Sequence, residues 1–154
     1  MIYIHKENGV SIKVRENPNI ASSLNSELAV TADLVSDILS IADCDITISV
    51  VRLSCYGEVV QSDDTKFWIY LSKDSSISEI KKTLIHELCH VQQVNHGLLQ
   101  MQDSGDTIWM GELYQYKDRQ RMMRKRQIVD YDDYPWEIDA NRKEPILSKC
   151  LNIK

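Results

Sequence analysis

Apolar and polar positions alternate from Tyr3 to Arg15 in two short runs that meet at Asn8-Gly9, a pair that tolerates positive φ, so this segment is expected to be a β-hairpin. The period then lengthens. Ile20, Leu24, Leu28, Val35, Ile38 and Ala42 recur at helical spacing. With Asn17 as N-cap and Pro18 in the first helical position, they predict a helix, or a broken pair, over 18–42. Asp45 to Leu53 is a continuous β-branched run and reads as a buried strand; Lys66 to Ser72 reads as a second, aromatic-rich one. Ser76 and Glu79 have the spacing of a capping box, and behind them Ile77, Ile80, Leu84, Leu88 and Val91 make one apolar stripe. That helix is expected to reach about Asn95 and stop at Gly97. The segment 98–116 is mixed, with a strand or hairpin around Ile108-Trp109-Met110-Gly111, and 117–128 fits either helix or loop. Pro135 opens a last helix, which Pro145 ends or kinks. The order predicts one α+β domain over 1–154, with a small mixed sheet packed on two helices.

Composition narrows the class. The 154 residues suit one domain, and 43% hydrophobic residues are enough for a core without crosslinks. No stretch approaches the roughly 20 apolar residues of a membrane span, and Met1-Ile-Tyr-Ile-His-Lys lacks the form of a secretory signal. A cytoplasmic protein without membrane partners is expected. Cys44, Cys55, Cys89 and Cys150 are scattered, with no CxxC pair, which suits free thiols better than two disulfides or a Cys-only zinc site. The net charge of −5 argues against general nucleic-acid binding. The charge is uneven, because Lys117, Arg119, Arg121, Arg124, Lys125 and Arg126 crowd a stretch whose one acid is Asp118.

The chemistry concentrates in His86-Glu87-Leu88-Cys89-His90. Two imidazoles four residues apart on a helix project from one face, about 6 Å apart along the axis, close enough to share one tetrahedral zinc. Glu87 lies beside the first ligand rather than facing the metal. Zinc lowers the pKa of bound water to about 7, and a carboxylate in that place can take the proton and pass it to a leaving amine. A catalytic zinc keeps three protein ligands, so a third is required. Glu137, in the first turn of the last helix, can aim a carboxylate at a facing helix; the alternative for it is plain complementarity to the helix dipole. His96 is a second candidate, but on a straight helix it lies about 80° around and about 15 Å along from His86. Glu112 and Asp139 are further candidates.

Taken together, His86-Glu-Leu-Cys-His90-Val-Gln-Gln, Trp109-Met-Gly111 and Tyr134-Pro-Trp-Glu-Ile-Asp-Ala140 resemble a group of small zincin-like metallopeptidases of bacteriophages and bacteria. The group's pattern is HExxH, a Trp-x-Gly block and Pro-Trp-Glu-x-Glu-Ala, and the resemblance covers about 86–141. It implies a zincin-like core of the minimal gluzincin kind, a single Zn²⁺ held by His86, His90 and Glu137, Glu87 as general base, and a peptide or protein substrate. Asp139 stands where the group commonly has glutamate, which keeps the charge and shortens the reach. The first 75 residues carry no part of the resemblance. A weaker similarity is to small DNA-repair peptidases with HExxH and a third histidine at the spacing of His96. It would give the basic stretch 117–126 a nucleic-acid partner, where a solvated face is the simpler account. The rival classes are therefore a DNA-associated protein and a non-catalytic zinc-binding module.

Other residues carry weaker expectations. Phe67, Trp109 and Trp136 suit core packing. Lys66 to Leu71 fits either an edge strand that holds extended peptide or an ordinary paired strand. Tyr116, Tyr131 and Tyr134 are candidates to stabilise an oxyanion, and Gln93, one turn past His90, suits a hydrogen bond near the site or a polar surface. Cys89 reads as a small packing residue.

Overall fold

Ile2–His5 (β1) and Ser11–Arg15 (β2) form an antiparallel hairpin in the computed structural model, which describes residues 1–115 and 131–154. The chain then crosses through a helix, Ser22–Ile38 (α1), to Asp45–Val51 (β3), which lies parallel to β2. A parallel neighbour requires such a crossover. Gly57–Asp63 (β4) runs out along the far side and returns as Lys66–Ser72 (β5) beside β3, giving the order β1-β2-β3-β5-β4. Period-2 alternation puts the rows Ile12-Ile46-Phe67 and Val14-Ile48-Ile69 on one face, each residue no more than 1% exposed. The other face carries polar and aromatic side chains, with the Arg15 guanidinium 5.4 Å above the Trp68 ring.

The second long helix, Ile77–Asn95 (α2), starts at the expected capping box: Ser76 Oγ accepts from the Glu79 N–H, and Glu79 accepts from the Ser76 N–H. It ends in a Schellman motif, with Leu98 N–H to Gln93 O, Gly97 N–H to Val94 O, and Gly97 at φ +74. α1 packs on β1 and β2, α2 packs on β4 and β5, and the two helices touch each other. Leu28, Ala32 and Val35 from α1 meet Leu84, Ile85, Leu88 and Cys89 from α2 in the core. A small antiparallel sheet follows: Leu99–Met101 (β6), Thr107–Trp109 (β7) and Glu112–Tyr114 (β8), with Met110-Gly111 as a two-residue turn at positive φ. After a 3₁₀ turn at Tyr131–Asp133, the last helix, Pro135–Cys150 (α3), packs along α2. The architecture is α+β. Among the described residues no helix is long and apolar enough to cross a membrane. All four cysteines are free.

Two boundaries and one missed strand need correction. α1 begins at Ser22, not at Pro18, because the Asn17 side chain caps a turn at Asn19 N–H and donates to the Val50 carbonyl. It ends at Ile38, short of Ala42, where the chain turns through Ser40 at φ +54. The strand β4 was not anticipated; of the two readings of Lys66 to Leu71 the ordinary paired strand holds, since it lies between β3 on one side and β4 on the other. Of the two outcomes expected at Pro145, ending the helix does not occur: α3 continues through it, with Leu147 and Ser148 beyond it buried and anchoring the last turns.

Candidate metal centre

His86 and His90 emerge one turn apart from the face of α2 that the core does not use, and their rings meet edge to face at 4.8 Å. Pro135 starts α3 and puts Glu137 in its first turn, aimed back at α2. One Glu137 oxygen lies 2.9 Å from His86 Nε2 and the other 2.9 Å from His90 Nε2. The two Nε2 atoms are 3.2 Å apart. One donor atom from each of these residues falls within 4.8 Å of the other two. Glu137 is 2% exposed, and the side chains of His90 and His86 are 7% and 21% exposed. The trio lies in a cavity of about 850 Å³, walled by β4 on one side and by Tyr131, Trp136 and α3 on the other.

The electrostatics follow from this crowding. Burial works against the Glu137 carboxylate, but hydrogen bonds from His86 and His90 and their charge outweigh it and bring its pKa to about 2. Burial alone would lower the His90 pKa; the bond to Glu137 and the charges of Glu137 and Glu87 raise it instead. Glu87, 6% exposed, is pushed up by burial against the pull of the two histidines. A buried carboxylate with a raised pKa beside an imidazole pair is suited to carry a proton.

Two nitrogens and one carboxylate oxygen converging on a cavity are a donor set that fits Zn²⁺ with a position left for solvent or substrate. Hydrogen bonds support the donors from behind. His90 Nδ1 lies 2.8 Å from Gln93 Oε1, and Gln93 Nε2 donates to the Trp136 carbonyl and to Asp139.

The other sequence candidates do not join the trio. His96 is the C-cap of α2 and bonds the Ser40 carbonyl. Asp139 is held by Gln93 and Lys143, and Glu112 is on exposed β8, interacting with Tyr114. Of the tyrosines, Tyr134 is 3% exposed and stacked on Trp136 at 4.8 Å, whereas Tyr131 lines the cavity. Tyr131 is 57% exposed overall, and burial of part of its ring together with the negative charge of Glu137 raises its pKa. Tyr116 and the basic stretch 117–126 lie outside the described residues. Sequence reasoning missed the β4 wall, Tyr56 to Val59, because that strand is short of apolar residues. Its one signal in the sequence is the β-branched pair Val59-Val60 shortly before the turn residues Asp63-Asp64.

No protein-family model, curated protein or solved structure matches this chain.

Proposed function

We propose that the protein is a zinc-dependent peptidase in which His86, His90 and Glu137 hold the metal and Glu87 is the general base. The observation that carries this reading is the convergence of His86 Nε2, His90 Nε2 and both Glu137 oxygens, each histidine–glutamate pair at 2.9 Å, on an open cavity beside a buried Glu87. A zinc ion held there would supply Lewis acidity toward a carbonyl and bring the pKa of water to about 7.

The chain's own residues supply the rest. Glu87 accepts a proton from the attacking water and returns it to the leaving amine; its raised pKa suits both transfers. Tyr131 can donate from the cavity wall to a developing oxyanion, since its hydroxyl stays protonated. β4 is the outer strand of the sheet among the described residues, and it borders the cavity, so an extended peptide can align beside it. The width of the cavity favours a catalytic over a purely structural zinc, because a structural site closes around four protein ligands.

The test is Glu87→Gln. This variant should bind zinc as the wild type does and cleave a peptide library more slowly by a factor on the order of 10²–10⁴. Undiminished cleavage in Glu87→Gln would remove Glu87 from the role of base.

A further inference from the structure

Gln93 is wholly buried, 0% exposed, one turn beyond His90. Its amide makes three short hydrogen bonds. Nε2 is 2.8 Å from the Trp136 carbonyl oxygen and 2.9 Å from Asp139 Oδ2, and Oε1 is 2.8 Å from His90 Nδ1. The first two partners are acceptors. One is a backbone carbonyl; the other is a carboxylate in an ion pair with Lys143 at 2.8 Å. Turning the amide over would set its oxygen against both of them, at a side chain fully buried from solvent. The amide therefore has one orientation, and that orientation presents an oxygen to His90. A ring nitrogen 2.8 Å from an amide oxygen must be the donor.

We infer that Gln93 is a positioning residue that orients the His90 ring by holding a hydrogen on Nδ1, so that Nε2 is the nitrogen turned toward His86 and Glu137. The use of Nε2 for zinc rests on the metal-centre reading; the hydrogen on Nδ1 does not. The geometry also gives α3 a double task. The stretch Trp136-Glu137-Ile138-Asp139 supplies one donor, Glu137, and through the Trp136 carbonyl and Asp139 it orients the residue that sets a second donor, His90. Lys143 extends the latch, bonding Asp139 and the neighbouring Gln92 side chain at 2.9 Å. The aspartate in place of glutamate at 139 thus has a use: it is 2.9 Å from a buried amide.

The experiment is ¹⁵N side-chain NMR on the metal-free full chain. The expected result is a hydrogen on His90 Nδ1, held against solvent exchange by Gln93 Oε1, whether or not Nε2 also carries one toward Glu137. A hydrogen on Nε2 with bare Nδ1 overturns the inference, and this needs no variant. The second measurement is zinc affinity by chelator competition in Gln93→Met, which keeps the length of the side chain and removes the amide. Its affinity should fall by roughly 10–100-fold, the range found when an outer partner of a metal-binding histidine is removed. The bias of His90 toward Nδ1–H should be lost in the same spectrum. Unchanged affinity and an unchanged spectrum in Gln93→Met would also overturn it. A wild-type protein with Nδ1–H at His90 that takes up no zinc would instead retire the metal-centre reading and leave this inference standing.

Discussion

Glu137 is the residue on which the site closes. Its carboxylate is almost fully buried between two imidazoles, with its pKa near 2, while the His90 pKa is raised. The sign of the pH dependence follows from both shifts. A depressed carboxylate contributes stability that is present above its unfolded value of 4.5 and lost as pH falls toward about 2. A raised histidine contributes stability that is present below its unfolded value of 6.5 and lost as pH rises through its folded value. In the metal-free protein, Glu137→Ala should therefore cost most between pH 4.5 and pH 6.5. We expect about 1–3 kcal/mol there, shrinking on both sides. Urea unfolding of both proteins across pH checks this. A cost that keeps growing above the His90 range would show that the His–Glu contacts are not its source. At this scale the sequence was informative where spacing is local: His86, Glu87 and His90 can be placed on one helix face by counting. Glu137 lies 51 residues from His86, and only the resemblance and its first-turn position pointed to it. The triple bond set of Gln93 depends on a carbonyl and a carboxylate of another helix and was legible only as one of two possibilities.

At the scale of elements, the packing of β4 against α2 shapes the cavity wall. Gly57 makes that approach possible: a Cβ there would lie 2.5 Å from Thr83 Cγ2 and 3.0 Å from the Tyr70 carbonyl oxygen. Gly57→Ala should destabilise the protein by about 1–3 kcal/mol through overpacking, and adding Thr83→Ser, which removes the opposing methyl, should recover part of the loss. Additive losses in that double-mutant cycle would contradict the close approach. α2 was legible end to end because its signals are local: a capping box, an apolar stripe and a glycine stop. β4 was not, since its residues alternate between half-buried and exposed and its pairing with β5 is broken by a register shift between Gln61 and Asp63. β6 to β8 have three residues each, too few for a period to show. The start of α1 was misplaced for a tertiary reason. Asn17 has the right chemistry for a cap, but its amide is committed to Val50 on β3.

On the scale of the whole molecule, the five-stranded sheet and α1 support α2, and α3 is pinned against α2 so that the two helices share one set of polar side chains. The α+β class followed from the sequence because hairpin, helix and strand periods succeed one another plainly. The second sheet did not, and it contributes Leu99, Trp109 and Tyr114 to the apolar cluster around Tyr134 and Trp136, next to Glu137 in the chain. A metal held between α2 and α3 links segments far apart in the chain, so its binding reports on the assembled fold. Calorimetric titration of the metal-free protein with Zn²⁺, run beside Glu137→Ala, tests the centre most directly. The account predicts one zinc per wild-type chain and sharply weakened binding in the variant. No uptake by the wild type, or equal affinity in the two proteins, would contradict it.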